Sequence, residues 1–139
     1  MLEALSISLN KAAVLGFVLY ILGAAVLFAL FQFVYTRITP HDEFKLIRDN
    51  IPGAAISLGL SLLGFTLPVV SAMTHAANVI DCLIWSVIAL VVQIIVYFIV
   101  RIPVPDLSKR IAAGELAPAI WLGLSSLAAG ALNAASMIY

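Results

Sequence analysis

Few side chains in this 139-residue chain are equipped for chemistry, and their spacing keeps most of them apart. His41 and His75 fall in loops at opposite ends of an apolar stretch long enough to cross a bilayer, so they do not share a site. The single cysteine, Cys82, excludes an internal disulfide and a thiolate metal cluster, and no HExxH or CxxC spacing is present. Asp42 and Glu43 are adjacent, but neighbouring residues on a helix diverge by about 100° and make a poor acid–base pair. No phosphate-cradling glycine loop occurs. An enzyme is not expected, nor a cofactor, nor a metal site.

What remains is a small set of polar groups inside apolar sequence, where each is costly and therefore informative. Gln93 lies deep in one apolar run, and Ser57, Ser61, Ser125 and Ser126 reach similar depth in two others. Together they suit a hydrogen-bonded layer, read either as glue between helices or as a permeation site. Asp81 and Asn133 fall near the opposite ends of two runs and suit a small outer mouth. Asp81 and Gln93 are twelve positions apart, about 120° around a helix, so they do not form one stripe.

The elements that position these groups follow from charge and length. With 64% hydrophobic and 10% charged residues, the chain cannot hide its apolar surface in a soluble core. Mean hydropathy is +1.18. Charge-free stretches at residues 12–35, 51–73, 82–100 and 116–138 each match the roughly 20 helical residues that cross a bilayer. Backbone groups in lipid must be satisfied within a segment, so these are helices. Residues 12–35 are too long for the apolar core of a signal peptide and read as a retained span. Arg37, Lys45 and Arg48 lie between the first and second spans, and Arg101, Lys109 and Arg110 between the third and fourth. Short basic loops stay cytoplasmic, which puts both termini outside. The formal net charge of zero gives no case for a nucleic-acid partner.

Both basic loops read as short amphipathic helices. In the first, Thr39-Pro40-His41-Asp42 has the form of a capped start, and Phe44 and Ile47 share an apolar face. Asn50 is placed to cap the second span. In the second loop Pro105-Asp106 takes the starting role, with Leu107 and Ile111 apolar. A shift of 64 positions, as from Arg37 to Arg101, aligns the two halves without a gap. Asp42, Lys45 and Ile47 then meet Asp106, Lys109 and Ile111, and Leu58-Gly59-Leu60-Ser61 meets Leu122-Gly123-Leu124-Ser125. The expected fold is therefore an all-α membrane protein, one four-span domain over residues 1–139. Its two direct, parallel helical-hairpin repeats cover about 13–74 and 77–138, related by a pseudo-two-fold along the membrane normal. Ala55 with Gly59, Ala119 with Gly123, and Gly130 are the expected packing positions between spans two and four. Pro68 is expected to kink span two.

Ile38-Thr39-Pro40-His41-Asp42-Glu43, the Leu67-Pro68 pair, Asp81 followed by Trp85 and Gln93, and the closing Gly130-Ala131-Leu132-Asn133-Ala134-Ala135-Ser136-Met137 carry a resemblance. Over residues 17–139 the chain resembles the YjfL-like bacterial inner-membrane family, catalogued as domain of unknown function 350. Asp49-Asn50-Ile51-Pro52-Gly53 departs from the family's usual Asn-rich, Ala-rich version, chiefly through Pro52. The resemblance implies four spans built from two hairpins and residence in the bacterial inner membrane. It implies no activity, and only an association with membrane-stress components. The residues and the resemblance together lead to a self-associating structural or regulatory component of envelope maintenance. Its partners are membrane lipids, further copies of itself and a cytoplasmic protein met by Lys45, Arg48, Lys109 and Arg110. The alternative is a homo-oligomeric small channel or transporter.

Overall fold

Asn10 opens the first long helix by accepting a hydrogen bond from the Ala13 amide at 2.7 Å, and the helix beyond it is apolar enough to continue through a bilayer. The computed structural model describes residues 1–138. Its elements are α1 (Leu2–Ser8), α2 (Lys11–Ile38), α3 (Glu43–Arg48), α4 (Pro52–His75), α5 (Val79–Val100), α6 (Leu107–Ala112) and α7 (Leu116–Ser136). Four of them, α2, α4, α5 and α7, are long and apolar enough to cross a membrane, and no strand occurs among the described residues. Each begins within a few residues of the expected span. The segment before Lys11 is a separate two-turn helix, α1, exposed along its whole length.

The first loop helix starts later than its sequence suggests, whereas the second starts after Asp106 as expected. Thr39 closes α2 rather than opening α3, because its amide and hydroxyl both reach the Tyr35 carbonyl. Asp42 is the residue that caps α3, accepting from the Lys45 amide at 3.1 Å. Asn50 does not cap α4. It sits at φ 62°, the left-handed position that ends α3, while Pro52 occupies the first turn of α4. Gly114, at φ 91°, ends α6 in the same way. The bonds Leu46 N–H to Asp42 O, Asp49 to Lys45, Asn50 to Ile47 and Ile51 to Leu46 have counterparts 64 positions on, namely Arg110 to Asp106, Ala113 to Lys109, Gly114 to Ile111 and Glu115 to Arg110.

Helices α4 and α7 make the most extensive contact in the molecule, with α5 wedged against both and α2 lying on α4 and α5. Packing without a hydrophobic drive depends on close approach, and small residues permit it. The seam runs from Gly53 beside Ala119, through Leu60 on Gly123, to Gly64 on Gly130, and ends where the Ser71 hydroxyl donates to the Ala134 carbonyl at 2.9 Å. The contacts rise together along both helices, so α4 and α7 point the same way. A Cβ on Gly130 would lie 2.5 Å from the Gly64 carbonyl carbon, which only a glycine avoids.

Ala119, Gly123 and Gly130 thus line the seam, whereas Ala55 and Gly59 do not. Both are exposed, and a Cβ on Gly59 would meet nothing within 4 Å. The seam also breaks the expected two-fold. Leu60 packs on Gly123, but their counterparts Leu124 and Gly59 do not meet. Pro68 is buried inside α4, which continues as helix through it to His75. Having no amide, it leaves the Gly64 carbonyl without its helical partner, and that carbonyl is turned onto Gly130. An α-hydrogen of Gly130 takes the place of the missing donor as a weak C–H···O contact.

Candidate functional site

Two polar clusters lie within the bundle. The first is at mid-depth, where Gln93 of α5 is almost wholly buried between α4 and α7. Its Nε2 donates to the Ser126 carbonyl at 3.2 Å, and its Oε1 has no hydrogen-bond partner. Gly64 makes room for it, since a Cβ there would lie 2.6 Å from Nε2. Gln93 therefore meets backbone rather than a layer of serine hydroxyls. Ser57 donates to the Ala54 carbonyl at 3.2 Å, and Ser61 pairs with the Tyr35 hydroxyl at 3.3 Å. Ser125 turns outward into a shallow groove with Trp121 and Leu124. Of the five residues expected in this layer, the structure brings Gln93 and Ser126 together.

At the end of the bundle away from the basic loops Asn78 caps α5, accepting from the Asp81 amide at 3.0 Å. The Asp81 carboxylate accepts from the Ala77 amide at 3.0 Å, one residue before the cap, which ties the incoming turn to the first turn of α5. The Asn133 side-chain amide Nδ2 is buried without an acceptor, so it does not donate to Asp81. The His75 ring lies 2.9 Å from the Thr74 hydroxyl and from the Ser71 carbonyl.

The second cluster sits at the end of the bundle that carries the basic loops. Thr39, His41 and Glu43 lie on the turn from α2 into α3, and all three are buried. Glu43 is 1% exposed; its Oε1 is hydrogen-bonded by the Thr39 hydroxyl and lies 3.4 Å from His41 Nε2. Glu43 Oε2 and both His41 ring nitrogens have no hydrogen-bond partner. Burial pushes the Glu43 carboxyl up to about 7 and pushes His41 below its ordinary value. Both shifts favour the neutral forms, so Glu43 exchanges its proton near neutrality.

Aromatic side chains link this pair to the helices. The Tyr35 ring stacks on Phe31 at 5.3 Å and meets Tyr97 edge-on at 5.7 Å, and the Tyr97 hydroxyl reaches Ser108 of α6 at 3.2 Å. Ser108 and Lys109 share a crevice with Pro40 and His41, so the two loops meet there. Lys45 and Lys109 are exposed, as is Arg48, whereas Arg110 forms a forked pair with Glu115 at 3.1–3.2 Å. Water and salt screen such an exposed pair, so it adds little to stability.

Adjacency leaves Asp42 exposed and turns Glu43 inward. It concealed Glu43 as a residue. The shift of 64 holds the missing signal: it sets Glu43 against Leu107, which is buried in the same position at the start of α6. One loop anchors with leucine where the other buries a carboxyl.

The four apolar helices and their buried seam define a multi-pass α-helical membrane protein. The family model described as Domain of Unknown Function (DUF350) matches residues 8–137. The UPF0719 inner membrane protein YjfL of Escherichia coli strain K12 is 35% identical over 127 residues, covering 91% of this chain and 96% of that protein. The protein of the same description from Escherichia coli O157:H7 matches to the same extent. No solved structure matches. The chain belongs to the DUF350 family.

Proposed function

We propose that the chain is a self-associating structural or regulatory component of the bacterial inner membrane, acting in envelope maintenance, with a protein partner on the cytoplasmic side. The observation that carries this reading is the joint surface of the two basic loops. Pro40 and His41 of one loop and Ser108, Lys109 and Ala112 of the other line one crevice, with Lys45, Arg48 and Lys109 exposed at that end. The recurrence of the loop hydrogen bonds 64 positions on supports a direct hairpin repeat. The open Ala55–Gly59 face supports contact with further copies. Within one chain the Gly64–Gly130 seam leaves no space between α4 and α7 for a solute.

Charge reversal at Lys45 and Lys109 to glutamate tests the partner reading in cells by proximity crosslinking and envelope integrity. Loss of a crosslinked protein with insertion intact is expected; unchanged crosslinks and an unchanged phenotype would sink the reading. Because the same charges set topology, insertion is measured on each variant.

The channel reading is favoured by one observation, the unpartnered Oε1 of Gln93 deep in the bundle. Ion flux through liposomes holding the wild-type chain or Gln93→Leu decides it. A flux altered by the substitution places Gln93 on a conduction path. Silence over several ions and voltages leaves it as a helix contact.

A further inference from the structure

The two hairpins of this chain pack on each other through different faces, and each leaves open the face that the other uses. Hairpin two presents Cys82, Ser86, Ala89 and Gln93 of α5, with Gly123 and Gly130 of α7; all are buried. Their counterparts 64 positions earlier are Val18, Leu22, Ala25, Ala29, Gly59 and Thr66, of which only Thr66 is even half-buried. Hairpin one receives them with Leu27, Phe31 and Tyr35 of α2 and Gly53, Leu60 and Gly64 of α4. The counterparts of that surface are Val91, Ile95, Ile99, Ala117, Leu124 and Ala128, and every one is exposed.

A two-fold pair would use both copies of each face and leave none. Here the contact is head-to-tail, which leaves one donor face and one acceptor face on the same molecule, and such contacts propagate into rings or open rows. We infer that a second copy of this chain docks its Gly59 face on the Ala117–Leu124–Ala128 face of α7, repeating between chains the contact the two hairpins make within one. The inference rests on the direct-repeat and self-association reading given above.

Residue types and depth agree with that occupant. Leu60 packs on Gly123 within the chain, and Leu124, which is 52% exposed, stands ready for Gly59 of the next copy. Gly53 lies beside Ala119, and Ala117 stands ready for Ala55. Gly59 is the eighth residue of α4 and Leu124 the ninth of α7, so copies sharing one orientation bring them to nearly the same level. The outer half cannot close as tightly. Gly64 on Gly130 becomes Ala128 on Thr66, whose side chains forbid backbone contact, so the rows splay towards the outer surface. The α2 helix explains itself in the same way: α5 is wedged between α4 and α7, whereas α2 lacks the helix that would flank it on its second side.

Disulfide trapping in native membranes tests the contact. Two full-length chains carrying different tags, one Gly59→Cys and one Leu124→Cys, both with Cys82→Ala, are co-expressed and oxidised. A Cβ at Gly59 meets nothing and Leu124 is exposed, so neither change disturbs the fold of the chain. A disulfide needs Cα atoms within about 7 Å, which lipid-facing positions reach only in a fixed contact. The expected result is the mixed dimer across tags, with no dimer from either chain alone and none from a control pair of Gly59→Cys with Leu132→Cys, an exposed position about 12 Å further along α7 than Leu124. Dimers of Gly59→Cys with itself would show a two-fold contact and overturn the proposal. Absence of the mixed dimer, with more than one copy per particle by single-molecule photobleaching, would overturn this surface and leave self-association standing. One copy per particle at cellular density would remove both.

Discussion

Replacing Gly130 by alanine strikes the closest point in the molecule. The added Cβ would stand 2.5 Å from the Gly64 carbonyl carbon and 2.6 Å from its Cα, and nearer still to its oxygen. Ordinary contact begins at 3.4 Å, so the helices must part locally by about 0.9 Å (3.4 − 2.5) or more. The obstructing atoms are backbone and cannot swing aside. A radial gap of about 0.5–1 Å already forfeits a quarter to a half of each neighbouring contact. The substitution therefore belongs at or above the upper end of the about 1–3 kcal/mol typical of overpacking. Gly16→Ala is the control, because a Cβ there meets nothing within 4 Å and alanine gains up to about 1 kcal/mol of helix propensity. The assay is reversible unfolding in mild detergent by added dodecyl sulfate, followed by the fluorescence of Trp85 and Trp121. Gly64→Ala should behave like Gly130→Ala, and the double variant should lose less than the sum, since helices already parted accommodate the second methyl. Equal stabilities for Gly130→Ala and Gly16→Ala would refute the seam.

Gln93→Met removes one hydrogen bond, at about 1 kcal/mol, together with a buried acceptor that has no donor, so stability should stay within about 1 kcal/mol of wild type; a loss above about 3 kcal/mol in the same assay would contradict this. Glu43 has a folded pKa raised to about 7 from 4.5, so its folded form holds its proton more tightly and stability falls as pH rises between those values. His41, lowered from 6.5, acts oppositely as pH falls through 6.5, so the Glu43 effect is least opposed at about pH 6.5–7. Melting temperature should fall across that window and the slope should vanish in Glu43→Gln. Glu43→Leu should be near neutral at pH 6, because Leu107 fills the corresponding place and the Thr39 hydroxyl keeps its bond to the Tyr35 carbonyl; a melting temperature well below wild type at pH 6 would argue otherwise. Ala113→Cys in a Cys82→Ala chain should react with an impermeant maleimide only after the membrane is opened to the cytoplasmic side; labelling in intact cells with a permeabilised outer membrane would reverse the orientation.

The spans were legible because charge is so scarce that its absence marks them. Helix α2 outruns its expected end by three residues, to Ile38, because Arg37 lies over the Phe33 ring at 4.8 Å and lets the helix continue beyond the apolar stretch. That α4 packs on α7 was legible from their small residues. Which face they use was not, since α4 carries small residues on two opposite faces, Gly53, Ser57, Ser61 and Gly64 on one and Ala55 and Gly59 on the other. Composition does not choose among them. Pro68 does, by freeing a carbonyl that lies against Gly130 of α7. The Thr39–His41–Glu43 cluster is hidden in the sequence because hydrophilic residues in a loop are expected to face water. It becomes legible only where the second loop shows an inward leucine in the same position.

The carbonyl that Pro68 frees also has a history in time. Gly130 follows Gly64 by 66 positions (130 − 64), and at about 5–20 residues per second the ribosome needs roughly 3–13 s to deliver it. Through that interval α4 is in the membrane with a bare acceptor and no α7 to cover it. The first hairpin is therefore an unfinished product when it is made, open to proteases and to whatever donor the insertion machinery offers. A chain halted before α7 should be cleared quickly by membrane quality control, even though all three of its spans are apolar enough to stay.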